Sequence, residues 1–292
     1  MTDPLIPRPA DPLIPRPADP LIPRPAATVM LIRDTTDRGI EVFLMRRHSA
    51  MDFVAGVMVF PGGGVDDRDR HADISWHGPG PSWWAGRLGV DEDLAEALVC
   101  AAARETFEES GVLFAGAADD PDLLVDDASV YRDQRAALEN KSLSFGEFLR
   151  SEKLVLRADL LRPWANWVTP KEERTRRYDT YFFVGALPQG QLADGDNTET
   201  DKAGWVTPQA ALDDFAEGRS FLLPPTWTQL DSLNGHTVAE VLAVERRIVA
   251  VEPTLTADPG GNWEIEFFDS RRYNEARNRR APQGYADGTP PT

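Results

Sequence analysis

One cysteine, Cys100, stands in 292 residues, so no disulfide can close within the chain. A reducing compartment, the cytoplasm, is the simpler expectation. Histidine is nearly as scarce: His48, His71, His77 and His236 show no metal-ligand spacing, which leaves no His/Cys site of the zinc type. Long apolar runs are missing too. "VMVF" (57–60) and "VLAV" (241–244) fall far short of a bilayer span. The N-terminus shows no apolar signal core, and the terminal "GTPPT" shows no targeting or lipidation pattern. Positive charge is in deficit: 31 Lys and Arg against 48 Asp and Glu give a net charge of -17. That balance speaks against non-specific binding to nucleic acid or to anionic membranes.

What the chain has in excess comes first. "DPLIPRPA" occurs three times, at 3–10, 11–18 and 19–26. Proline at this density opposes helix and sheet and favours an extended polyproline II arm. We expect residues 1–26 to be a disordered arm, with a docking ligand for a proline-recognising partner as the sharper alternative. The folded part is expected from Ala27. Residues 27–34, 40–47 and 56–60 read as strands. Residues 65–90, polar and rich in Gly, Pro and Trp, read as an irregular insertion. Residues 91–110 read as a helix with an acidic first turn and Gly111 as its stop. Helices are expected within 126–152, at 208–218 and at 237–247, strands at 179–187 and 262–268, and a loose tail from 277. Strands and helices without regular alternation indicate the α+β class.

The helix at 91–110 carries "RETFEE" (104–109). At about 100° per residue, Glu109 lies roughly 40° to one side of Glu105 and Glu108 roughly 60° to the other. Arg104 can pair with Glu108 one turn on. Three carboxylates on one helix edge repel unless cations stand among them. Hard oxygen ligands of this kind suit Mg²⁺ or Mn²⁺ and phosphate chemistry. A solvated acidic face is the competing reading of the spacing alone.

The surroundings extend the pattern. Glu96, Arg104, Glu105, Glu108, Glu109, Gly111 and Val112 stand at the relative positions of the Nudix box. Thr106 replaces its aliphatic residue, and Val90 stands where its first glycine would. The nearest glycine is Gly63 in "FPGGG" (60–64), which implies an insertion between strand and helix. Residues 43–66, 97–114, 164–188 and 222–230 resemble the coenzyme A diphosphatase-like branch of the Nudix hydrolases. The likeness spans roughly residues 27–235.

The resemblance implies a mixed sheet sandwiched between helices over 27–276, with insertions at about 65–90 and 115–160. It also implies hydrolysis of a diphosphate in a nucleotide-like substrate, of coenzyme A or acyl-CoA type. Glu105 and Glu109 would hold Mg²⁺ or Mn²⁺, with Glu108 assisting and a backbone carbonyl at Gly63 completing the set. Arg104 would orient the carboxylates, Glu96 would support them, and Glu199 is the candidate general base. Arg46, Arg47, Arg176 and Arg177 are candidate substrate-binding groups, because arginine suits phosphate capture. Trp164 and Trp167 are read as core rather than as base-stacking platforms. No nucleic-acid or membrane partner is expected, and a homodimer is compatible with the sequence. Two alternatives remain at this point: a non-catalytic Nudix-fold module that binds a nucleotide or a partner, and an RNA-end pyrophosphohydrolase, which the acidic balance disfavours.

Overall fold

Two long strands begin the fold. In the computed structural model, which describes residues 20–35, 39–47, 57–70, 74–195, 200–257 and 263–278, β1 (Arg24–Thr35) and β2 (Gly39–Arg47) form an antiparallel hairpin. Their pairing runs only from Thr35↔Gly39 to Ile32↔Val42, beyond which the two strands splay. The chain returns into that wedge. β3 (Met58–Val59) pairs with β2, and β4 (Gly62–Gly64) pairs with β1 from Thr28↔Gly62 to Ala26↔Gly64. β5 (Trp76–His77), β6 (Ala115–Ala117) and β7 (Leu154–Arg157) make a small separate sheet. The main sheet continues with β8 (Leu161–Val168) and β9 (Tyr178–Ala186), then β10 (Thr200–Val206) and β11 (Ala250–Val251). Its order is β10-β2-β1-β9-β8-β11, with β1 and β9 parallel and β8 and β9 antiparallel. β12 (Thr254–Ala257) and β13 (Trp263–Glu266) form a hairpin of their own.

Helices cover both faces of the main sheet, which is why β1 is apolar continuously rather than alternately. Ala27, Val29 and Leu31 face one layer. That layer holds α1 (Pro81–Leu88), α2 (Glu92–Ser110), α3 (Arg132–Glu139) and α4 (Phe145–Ser151). Met30 and Ile32 face the other. There lie α5 (Pro208–Ala216), α6 (Pro224–Leu233), α7 (Val238–Ala243) and α8 (Ser270–Asn278). The period of two along β1 thus separates two cores.

Three expectations need correcting. Residues 65–90 are not wholly irregular: Pro81 starts α1, Gly89 ends it in the left-handed region at φ 74°, and Trp84 is fully buried against Phe183. Proline at the first helical turn loses no intrahelical bond, so it opens a helix there instead of breaking one. The same argument covers α6, which begins at Pro224 and was not anticipated. The sheet also starts earlier than Ala27, since Arg24, Pro25 and Ala26 pair with Tyr178, Asp179 and Thr180. The fixed φ of proline is compatible with extended backbone near a strand's start. Residues 1–19 of the repeat arm, and Glu199, lie outside the described residues.

Candidate active site

α2 is positioned by local chemistry at both ends. The Asp91 carboxylate accepts from the Leu94 N–H at 2.8 Å, and Glu92 and Asp93 complement the positive end of the helix. Gly111 adopts φ 71°, and its N–H donates to the Phe107 carbonyl at 2.9 Å. Between them Ala95, Ala97, Ala101, Ala102 and Ala103 are fully buried. Such small side chains let the helix lie close to the sheet and set its carboxylates against the glycine strand β4.

The contact between them is tight. The Gly62 N–H donates to Glu109 Oε2 at 2.7 Å. A Cβ on Gly63 would run into the Glu105 carboxylate, so any larger residue there would push that carboxylate from its place. The insertion therefore leaves the glycine strand beside the helix even though Val90 replaces the expected glycine.

Arg104 is the hub of the cluster, and it is buried. Its Nη1 donates to Glu105 Oε1 at 2.7 Å and to Glu108 Oε1 at 3.3 Å. Its Nη2 donates to the Gly64 carbonyl at 3.1 Å. On its other edge Nε and Nη2 bond the two oxygens of Asp69 at 2.9 and 2.8 Å. Asp69 is buried in the Asp66–Asp69 turn and also accepts from the Cys100 thiol at 3.5 Å. It belongs to the site and was missed by the sequence reading. Its only local signal is an acidic run, "VDDRDR" (65–70), with nothing to show that one member turns inward.

Burial shapes the charges. It pushes the Glu105 carboxyl up to about 7, with the Arg104 charge pulling back and Glu108 adding to the rise. Burial raises Glu108 as well, again opposed by Arg104. Burial would lower Arg104, but the Asp69 hydrogen bonds and the charge of Glu105 outweigh it and raise it. Burial, followed by the Asp69 charge, raises the Cys100 thiol, which leaves it an inert packing group and not a nucleophile.

A second arginine ties the far end of α2 to the loop after β9. Arg135 Nε donates to the Glu108 carbonyl at 2.9 Å, and its Nη1 reaches Asp194 at 2.8 Å. The Asp194 N–H donates to the Ser110 carbonyl at 2.9 Å. The loop that leads toward Glu199 is thus anchored at the last turn of α2.

The structure brings Gly63, Arg104, Glu105, Glu108 and Glu109 together. Arg46 is exposed at the end of β2, and both it and Arg47 pair there with β10. Arg176 is exposed on the connection between β8 and β9. Arg177 is different, and its expected place among substrate-binding groups needs correction. It is buried, and its guanidinium donates to the Thr169 carbonyl at 3.0 Å, to the Leu21 carbonyl at 2.5 Å and to Glu252 at 2.5 Å. Trp164 and Trp167 are core residues, as expected.

The donor set suits a hard divalent cation. Asp69, Glu105 and Glu108 pair with one buried arginine, and Glu109, on the helix of Glu105 and Glu108, lies beside Gly62, so negative charge is in excess, and every donor is oxygen. Among the described residues no three His, Cys, Asp or Glu side chains already converge on one point as a cage. Arg104 Nη1 instead bridges Glu105 and Glu108.

A glycine strand facing an acidic helix across a mixed sheet is the layout of a Nudix domain. The NUDT19 Nudix domain matches residues 85–233, and the chain belongs to that family. Acyl-coenzyme A diphosphatase NUDT19 of Xenopus laevis is 26% identical over 225 residues, covering 66% of this chain and 59% of the relative. The Homo sapiens protein of the same name is 27% identical over 229 residues, covering 67% and 60%. The chain therefore spans about three fifths of the length of these curated relatives. The crystal structure of a NUDIX hydrolase from Alicyclobacillus acidocaldarius superimposes with a TM-score of 0.61 at 27% identity, covering 77% of this chain and 98% of that one.

Proposed function

We propose that this chain hydrolyses the diphosphate of a coenzyme A-type substrate, acyl-CoA above all, with a divalent cation. The observation that carries the reading is the meeting of Glu105 and Glu109 with the glycine strand. Glu105 and Glu109 would hold Mg²⁺ or Mn²⁺, with Glu108 and the Gly63 carbonyl assisting. The cation, when bound, neutralises phosphate oxygens and acidifies a water. Arg104 and Asp69 fix where the carboxylates point, and pre-set geometry is what an in-line attack requires. Arg176 and Arg46, both exposed, would meet the outlying phosphate of such a substrate. The names of the relatives support this substrate class.

The altered glycine spacing, with Val90 where the first glycine would stand, is the feature that favours a non-catalytic module. The Asp66–Asp69 turn and α1 take up the added residues while Gly63 stays beside Glu105, so that feature weighs little. The test is product release from coenzyme A, acyl-CoA, ADP-ribose, NADH and dinucleoside polyphosphates, with Mg²⁺ or Mn²⁺ and with a chelator. Acyl-CoA should be cleaved only with metal, and Glu109→Gln should lower turnover by orders of magnitude in a folded protein. Undiminished turnover in chelator, or a fully active Glu109→Gln, would refute the assignment.

A further inference from the structure

On the sheet face remote from α2, a cavity of about 450 Å³ opens between the middle of β8, α6 and residues 246–249. Its volume falls within the range of small-molecule sites. Its floor is Trp164, buried in the core, whose indole N–H donates to the Ser232 hydroxyl at 3.2 Å. The Arg246 guanidinium lies over the indole, 3.6 Å from the ring centroid. This guanidinium is half-buried, yet none of its N–H groups meets an acceptor among the described residues. The two acids that line the cavity are already engaged. Asp231 and Asp269 both accept from Arg272, at 2.8 to 2.9 Å.

With no acceptor among the described residues and only half of its surface covered, the Arg246 guanidinium is open to an anion from solution. The rim is apolar. Phe268 is 71% exposed and Val249 65% exposed, both unusual for large hydrophobic side chains. Burial pulls the Arg246 guanidinium down from its ordinary value, a cost that an anion alongside it would relieve.

We propose that this cavity binds a small amphiphilic oxyanion, its carboxylate or phosphate head on Arg246 and its apolar body against Phe268 and Val249. A planar guanidinium held flat by an aromatic ring presents its N–H edge in a fixed direction, which suits a two-oxygen head. The site is separate from the acidic cluster, on the opposite face of the sheet, and does not rest on the diphosphatase reading.

The experiment is calorimetric titration of the full chain in chelator, where no turnover is involved. The probes are decanoate, decyl phosphate, the neutral decyl glucoside and inorganic phosphate. Decanoate or decyl phosphate should bind, and whichever binds tighter identifies the head. The glucoside and free phosphate should each bind on the order of tenfold more weakly or not at all. Arg246→Gln should weaken the amphiphile on the order of tenfold to a hundredfold. Phe268→Ala, at a position 71% exposed, should weaken the amphiphile and leave free phosphate unchanged. If Arg246→Gln fails to fold, Val249→Ser and Phe268→Ala decide by the same criterion. The proposal is overturned if neither anion binds, if the glucoside binds as well as decanoate, or if the folded variants bind like wild type.

Discussion

Arg104 and Asp69 make a buried, two-bond ion pair, and removing Asp69 leaves the Nε edge of Arg104 without an acceptor while Glu105 and Glu108 still hold Nη1. Asp69→Ala should therefore cost about 1–3 kcal/mol in urea unfolding. It should also depress metal-dependent activity, because Arg104 would then be free to rotate away from Glu105 and Glu108. A wild-type urea midpoint would show that the pair holds nothing. Glu105 gives a pH test. Its folded value of about 7 lies above the ordinary 4.5, so the folded state favours the protonated carboxyl. That contribution is full below about 4.5 and is lost as pH rises through about 7. A bound cation favours the ionised form, so the gain in melting temperature from Mg²⁺ over chelator should grow between about pH 5 and pH 8. A gain that shrinks with pH would contradict the ligand assignment.

At the level of elements, β1 shows where local reading stops. The repeat copy at 19–26 looks like the other two, yet Arg24–Ala26 belong to the sheet and the Leu21 carbonyl accepts from Arg177. Deleting residues 1–26 should lower the melting temperature by several degrees relative to deleting residues 1–18. A charge-assisted bond of about 1.5–3 kcal/mol goes with the strand start. Equal melting curves for the two truncations would show that the strand start adds no stability. α2 was legible because its Asp91 cap, Ala-rich body and Gly111 stop are all local. α1 was not: nothing in "PSWWAGRL" (81–88) shows that Trp84 will be buried against a strand a hundred residues on. Asp69 was hidden for the same reason, since its partner Arg104 lies outside its own segment.

Across the whole molecule, Arg177 stitches distant parts of the chain: Leu21 near the start, Thr169 in the middle and Glu252 toward the end. Charge was readable from the sequence, but burial was not, so neighbouring arginines with opposite fates looked alike. Arg177→Ala should destabilise the fold by about 1–3 kcal/mol, because the Thr169 and Leu21 carbonyls lose their donor while Glu252 keeps Lys171. Arg176→Ala should leave stability within about 0.5 kcal/mol and raise KM for a substrate with an outlying phosphate. Thermal melts beside steady-state kinetics separate the two. A stable Arg177→Ala, or an unstable Arg176→Ala, would reverse these roles.

The splay of β1 and β2 also orders events during synthesis. The glycine strand, β1 and α2 all lie within residues 24–110, so both halves of the acidic site leave the ribosome early. The other edge of β1 waits for β9, where Arg24 pairs with Tyr178 and Ile32 with Ala186. Until that strand arrives, β1 offers an open apolar edge of the kind that invites mispairing. The acidic site is thus synthesised before the last of the scaffold that holds it, and the parallel pair of β1 and β9 cannot close until residue 186 has been made.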